Sequence, residues 1–217
     1  MSIRLHGVSI SNYYSTVKAG LVEKGLDFEE VPVMPTQTPE VLAHSPMGKV
    51  PWIEIDGQDL SETSVIFDYI EECHPQPPLY PTDPWARAKT REIMRVVEMY
   101  LDSAVRPHLP AVYFGAPVDQ GAYDSVPEEL NKGLVALKKV AQFAPYIAGA
   151  EFTYADITAF FQIGFTNLHT TRIYDRDIID EVAGLADYLA LVRERASLRE
   201  VADQMQSDLD SFFSKTD

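Results

Sequence analysis

Gly7-Val8-Ser9-Ile10-Ser11-Asn12-Tyr13-Tyr14-Ser15 gathers hydroxyls and a side-chain amide into one run behind a short strand. Open α/β sheets bind ligands at the C-terminal rim of their strands. A helix N-terminus at that rim favours a thiolate over a thiol, the more so when a hydroxyl donates to the sulfur. Ser11, Asn12 and Ser15 are also helix-capping types, and Tyr13 and Tyr14 also read as half-buried packing aromatics. In Lys49-Val50-Pro51-Trp52-Ile53 a proline opens a strand, a position where no ladder hydrogen bond is lost. A cis Val50–Pro51 bond would leave the Val50 backbone open to an extended peptide; a plain turn proline is the alternative. Twelve residues after Val50, Glu62 lies within Leu60-Ser61-Glu62-Thr63-Ser64, where a helix should begin. Free N–H groups and the positive dipole end would hold a carboxylate there, with Thr63 as an extra donor. Simple capping by Ser61 or Thr63, with Glu62 complementing the dipole, is the competing reading.

The elements around these stretches follow from periodicity. Ile3 and Leu5 alternate with polar neighbours up to Gly7 and predict a strand. Residues 14 to 24 place Val17 and Leu21 on one helical face, with Gly25 as the stop. Residues 28 to 33 alternate as a strand that Pro32 confines to a sheet edge or a strand end. A short helix over 39 to 45 precedes two strands joined at Asp56-Gly57, a strong hairpin signal. Val65, Ile66, Tyr69 and Ile70 then form a helical stripe. The predicted order is βαβαββα.

Residues 74 to 84 hold five prolines, a density that neither helix nor sheet interior tolerates. The chain therefore divides into an α/β domain over 1–76, a proline-rich linker over 77–84 and an all-α domain over 85–217. Helices are expected near 85–107, 127–143, 154–168, 177–193 and 198–213.

Composition narrows the function classes. Of 217 residues, 46% are apolar and 24% charged, ordinary for globular proteins and unlike collagenous or disordered chains. A net charge of −15 repels phosphate backbones and anionic head groups, so neither nucleic acid nor membrane is an expected partner. The chain lacks a run of roughly 20 apolar residues that would span a bilayer, and its start lacks a signal-peptide core. A cytoplasmic location is expected. The single cysteine, Cys73, excludes an internal disulfide and reads as a packing residue on the third helix's last turn. His6, His44, His74, His108 and His169 lack metal-ligand spacing, so no metal is expected. Trp52 and Trp85 read as core or domain-interface residues.

Taken together, the three opening stretches resemble the cytosolic glutathione transferases. Further points of resemblance are His44-Ser45-Pro46-Met47-Gly48-Lys49-Val50-Pro51, Lys24-Gly25-Leu26-Asp27-Phe28-Glu29, and Gly149-Ala150-Glu151-Phe152-Thr153-Tyr154-Ala155-Asp156. In the last of these, Thr153 and Asp156 match the family's structural capping box. The resemblance spans the chain and implies a thioredoxin-like N-terminal domain followed by a helical domain, the glutathione transferase fold. It further implies glutathione as co-substrate, its cysteinyl backbone paired with Val50 beside cis Pro51. The γ-glutamyl carboxylate would meet Glu62 and Thr63, with Lys49 near the glycyl end. The thiol-activating group is implied to be Ser11, with Asn12 or Tyr14 as alternatives. A small electrophile would be walled by Tyr13, Tyr100, Arg106, Tyr113 and Phe114. The resemblance also implies a homodimer. A glutathione-dependent peroxidase, dehalogenase or isomerase using the same site remains an alternative, as does a non-catalytic binding protein.

Overall fold

The computed structural model describes residues 2–214; residues 1 and 215–217, at the ends of the two assigned domain spans, lie outside the described residues. The first elements are β1 (Ile3–Gly7), α1 (Asn12–Glu23), β2 (Glu29–Pro32), α2 (Pro39–Leu42), β3 (Trp52–Ile55), β4 (Gln58–Ser61) and α3 (Thr63–Cys73). This is the expected order. The strands form one mixed sheet in the order β2-β1-β3-β4, with β1 parallel to β2 and antiparallel to β3. Pro32 sits on an edge strand, where its missing N–H costs no ladder bond. Asp56 and Gly57 both take positive φ (50° and 83°), as a two-residue type I′ hairpin requires.

One face of the sheet makes the core. Ile3, Leu5, Ile53 and Ile55 pack on Tyr14, Val17 and Leu21 of α1 and on Ile66 and Ile70 of α3. Each such burial contributes about 1.5–3 kcal/mol. The opposite face is mixed: Arg4 pairs with Glu29 at 3.2 Å and with Glu54 at 3.0 Å, and the buried Trp52 lies beside His6 toward the other end. α1 starts two residues earlier than its apolar stripe indicates, because Ser11 caps it and accepts the Tyr14 N–H. It ends as expected, with Gly25 N–H donating to Val22 and Leu26 N–H to Leu21, the paired bonds of a Schellman ending. The buried Lys24 ammonium pairs with Glu71 and donates to the carbonyls of His74 and Pro77 at 2.8 and 2.7 Å, which fastens the start of the proline-rich segment to the first helix.

The remaining elements are α4 (Pro84–Val97), a π turn at Glu98–Asp102, α5 (Ser103–Val105), a 3₁₀ turn at Arg106–His108, α6 (Leu109–Phe114), α7 (Gln120–Val140), α8 (Tyr154–Tyr174), α9 (Leu185–Arg193) and α10 (Ala196–Phe213). The single helix expected over 85–107 is thus interrupted. Gly133 of α7 lies so close to the Tyr100 carbonyl that a Cβ would collide with it, and Ser103 Oγ donates to the Glu98 carbonyl at 2.9 Å; a π turn accommodates both. α7 begins seven residues before its expected start, capped by Asp119, and carries Pro127 inside. Proline cannot donate to the carbonyl four residues back. The Tyr174 hydroxyl supplies that carbonyl, of Tyr123, with a donor at 3.2 Å. α9 is confined to Leu185–Arg193 by Gly184 in a left-handed conformation. Cys73 is exposed, not packed, and Trp85 is 75% exposed in contrast to Trp52 at 2%.

Two compact units emerge. One takes the chain through Leu79 together with Ala196–Asp210, and the other takes Tyr80–Arg195 with the chain from Ser211. Most of α10, although last in sequence, therefore belongs with the sheet. Ser197 donates to Glu23, Lys18 to Gln204 at 2.6 Å, and Ser9 to Asp208 at 2.6 Å. Among the described residues no helix is long and apolar enough to cross a membrane.

Candidate active site

Strand register brings the three chemically promising stretches to one end of the sheet. Trp52 faces Ser61 across the hairpin and His6 across β1. Continuing both registers by one and two residues sets Pro51 and Val50 beside Glu62 and Thr63 on one side and beside Gly7 and Val8 on the other. Gly7 makes the approach possible. A Cβ there would lie 2.5 Å from Tyr14 Cδ2 and 3.2 Å from Val50 Cβ, so the first turn of α1 and the Val50 segment meet over a bare backbone.

The Val50–Pro51 peptide is cis. The turn before it is held by Ser45, whose carbonyl accepts from Gly48 N–H at 2.8 Å and whose hydroxyl accepts from Lys49 N–H at 3.2 Å. Trp52 is clamped between the rings of His6 and His44, with centroids 4.7 and 6.0 Å away. Among the described residues Val50 makes no backbone hydrogen bond, and its half-buried edge remains available for a partner.

The start of α3 is not capped by a side chain. Its N-cap is Glu62, with φ 73° and ψ 112° and no side-chain cap bond. The expected alternative, closure by Ser61 or Thr63, is therefore not what the chain does. An acidic, non-glycine residue at such a φ is strained, and strain of this kind gathers at ligand sites. Thr63 follows, 6% exposed, at the end of an eleven-residue helix whose first N–H groups point outward.

At the other helix start, Ser11 Oγ accepts the Tyr14 N–H at 3.4 Å. The hydroxyl acts there as an acceptor, so the cap does not use its proton. Asn12 is buried at 2% exposure, and its carbonyl accepts from Thr16 Oγ1 at 2.8 Å. Tyr13 is half-buried. Tyr14 is turned elsewhere: its hydroxyl donates to Glu30 at 2.6 Å, and burial, followed by the Glu30 hydrogen bond and charge, pushes its pKa upward. Burial alone would raise the Glu30 carboxyl, but hydrogen bonds from Lys18 and Tyr14 outweigh it and hold the group below its usual range. Tyr14 thus has its proton committed to a carboxylate, a poor arrangement for serving a thiol.

Within the second unit, Arg106 is held by the buried Asp102 at 2.6 and 3.2 Å and lies over the Phe165 ring. Tyr113 packs among Phe165, His169 and Phe213. Among the described residues its buried hydroxyl has no hydrogen-bond partner, and burial pushes its pKa up to about 12. Phe114 is 60% exposed beside it. Arg172, over the Phe213 ring, joins this cluster without a sequence signal. Tyr100 lies apart on the π turn, 51% exposed, with its carbonyl against α7. Among the described residues no group of three His, Cys, Asp or Glu side chains is placed to hold a metal ion.

The family model for the glutathione S-transferase N-terminal domain matches residues 5–78. A glutathione S-transferase of Pseudomonas putida is 35% identical over 210 residues, 97% of this chain and 96% of its own length. The chain belongs to the glutathione S-transferase family. It is also 29% identical over 149 residues to the maleylacetoacetate isomerase of Mus musculus, covering 65% of this chain and 67% of that one. Among solved structures, a glutathione S-transferase from Methylobacterium radiotolerans in complex with glutathione sulfonate superposes with a TM-score of 0.78 at 25% identity, covering 93% of this chain and 94% of its own. The thioredoxin-like sheet followed by helices is the fold of this family.

Proposed function

We propose that the protein is a glutathione S-transferase that binds glutathione at the end of the sheet where Val50, Thr63 and Ser11 converge. The observation that carries the reading is the open, strained start of α3 set by strand register beside the unpaired Val50 backbone. Val50 N–H and C=O would pair with the cysteinyl backbone in the manner of an added strand. The Thr63 hydroxyl, together with the N–H groups at the start of α3, would hold the γ-glutamyl carboxylate, with Glu62 facing the same end of the tripeptide and Lys49 its glycyl carboxylate. Ser11 would donate its hydroxyl proton to the sulfur while the dipole of α1 adds to the thiolate's stability. The thiol proton leaves to solvent, the sulfur lone pair forms the bond to the electrophilic carbon, and the displaced group departs with its electron pair. Ser11 is preferred to Tyr14 because Tyr14 donates to Glu30; Asn12 is a second donor from the same turn. Within the second unit Arg106, Tyr113 and Phe114 are the residues proposed to receive the electrophile; Tyr13 belongs to the turn that carries Ser11, and Tyr100 lies apart on the π turn.

A second reading, isomerisation of an unsaturated dicarboxylate through a transient glutathione adduct, draws on the isomerase relatives and on the two guanidinium groups, Arg106 and Arg172, beside Tyr113. We also propose a cytoplasmic homodimer, in keeping with the single cysteine and the habit of the family. The test is calorimetry with glutathione on the wild type, Thr63→Ala and Ser11→Ala, followed by titration of the bound thiol. Thr63→Ala should weaken binding about tenfold by removing a hydrogen bond to a charged group. Ser11→Ala should bind normally but raise the bound thiol pKa by about one unit. Absence of wild-type binding at millimolar glutathione would overturn the reading.

A further inference from the structure

The loop that carries Ser11 is gripped from the far end of the chain. Ser11 N–H donates to the Val8 carbonyl at 3.0 Å, and Ser15 Oγ donates to the Ser9 carbonyl at 3.1 Å. These two bonds shape the loop from within. The Ser9 hydroxyl turns outward and donates to Asp208 Oδ2 of α10 at 2.6 Å, across 199 residues of sequence. One helical turn earlier, Gln204 accepts from Lys18 Nζ at 2.6 Å. That ammonium also pairs with Glu30 at 2.7 Å, and Glu30 in turn accepts the Tyr14 hydroxyl. Two residues four apart on one face of α10 therefore hold the Ser11 loop and the helix it opens.

Anchoring α10 does not require these polar contacts. Leu198, Val201, Ala202 and Leu209 are buried along its length, and apolar burial on that scale docks a helix unaided. A carboxylate is moreover an unfavourable neighbour for a loop whose task is to stabilise a thiolate. Its use there is explained by geometry. A catalytic hydroxyl must be held within about half an ångström of its productive position, and Ser9 lies two residues before Ser11 on a short connection.

We infer that Asp208 is a positioning residue: through its hydrogen bond to Ser9 it fixes the loop that sets the direction of the Ser11 hydroxyl. This rests on the assignment of Ser11 as donor to the glutathione sulfur. Asp208 touches no reactant.

The experiment measures glutathione binding by calorimetry, the bound thiol pKa by thiolate absorbance against pH, and kcat with a chromogenic aryl halide, in wild type, Ser9→Ala, Asp208→Ala and Asp208→Asn. Ser9→Ala and Asp208→Ala should bind glutathione within about twofold of wild type, since Val50 and Thr63 are untouched, while the bound thiol pKa rises by about half a unit and kcat below that pKa falls about threefold. Asp208→Asn keeps an oxygen that accepts from Ser9 and should restore both values. The double variant should be no worse than either single one, because the two side chains act as one pair. If Asp208→Ala loses its fold, as read by circular dichroism, Ser9→Ala carries the same test. Unchanged thiol pKa values in Ser9→Ala and Asp208→Ala would overturn the inference. So would a lowered pKa in both Asp208 variants, which would make Asp208 a charge and not a clasp. Failure of the underlying assignment reads out separately, as an unperturbed thiol in the wild type itself or an unchanged one in Ser11→Ala.

Discussion

Two helix starts in this chain use the same residue types to opposite ends. At the start of α8, Thr153 and Asp156 form a closed capping box. Asp156 accepts from Ile147 N–H at 2.9 Å, Thr153 N–H at 2.7 Å and Tyr188 O–H at 3.0 Å, all buried. Burial pushes its pKa up, and the hydrogen bonds oppose that shift. At the start of α3, Glu62 and Thr63 also pair an acid with a threonine, yet Glu62 makes no cap bond and sits at positive φ. The first arrangement closes on itself, its two side chains taking up the Ile147, Thr153 and Ala155 N–H groups. The second leaves donors facing outward and holds a strained residue to do so. An acid beside a threonine at a helix start therefore says little about function until the destination of the hydrogen bonds is known.

The strongest way to break this contrast is to remove each acceptor or donor in turn. Asp156→Ala strands two buried N–H groups and the Tyr188 hydroxyl, and should cost about 3–5 kcal/mol of unfolding free energy. Thr63→Ala should leave the denaturation midpoint nearly unchanged while weakening glutathione. Urea melts of the two variants side by side decide the matter. Equal stability losses would mean that the start of α3 is structural as well.

Acid provides a probe of the closed region in the second unit. His169 is fully buried, with Nδ1 against the Phe165 carbonyl at 2.8 Å and Nε2 without a hydrogen-bond partner among the described residues. Burial pushes its pKa down to about 4 from an ordinary 6.5, against the raising effect of that carbonyl. Between these values the unfolded chain binds the proton and the folded chain does not, so stability rises with pH across the window. It is complete above about 6.5 and is lost as pH falls toward 4, by on the order of 3 kcal/mol. His108, also pushed down chiefly by burial, adds in the same direction. Unfolding free energy measured from pH 7 to pH 4 should flatten in His169→Phe; an unchanged slope would assign the acid sensitivity elsewhere.

Much of the site was legible because strand pairing is arithmetic. Once Asp56-Gly57 is recognised as a two-residue turn, Val50 and Pro51 must lie beside Thr63 and Glu62; that the end of β1 lies on their other side is a property of the sheet order, which the turn does not determine. The fold class follows from the same signals and from the proline-rich segment. What local pattern could not show are the interactions that span the chain. The Ser9 to Asp208 bond joins residues too distant for any periodicity to relate, so the last helix reads in sequence as one more member of the helical half. Pro127 reads as the first residue of a helix rather than an interior one, because the Tyr174 hydroxyl that serves the Tyr123 carbonyl in its place lies on another element. The break after Val97 depends on Gly133 meeting the Tyr100 carbonyl. The direction of Tyr14 was hidden for the same reason, since Glu30 lies on the edge strand.

That direction supports the smallest and most discriminating effect. If Tyr14 serves Glu30 and Ser11 serves the sulfur, Tyr14→Phe removes a hydroxyl from the Lys18–Glu30 pair but none from the ligand. The ring still lies against Gly7, so the loop keeps its shape. Glu30 loses one of the hydrogen bonds that hold its pKa down while Lys18 remains to neutralise it. The bound thiol pKa should therefore move by less than about 0.3 unit, against about one unit in Ser11→Ala. Thiolate absorbance titrations of the two variants check this directly. A larger shift in Tyr14→Phe than in Ser11→Ala would reverse the roles, requiring Tyr14 to leave Glu30 when glutathione binds.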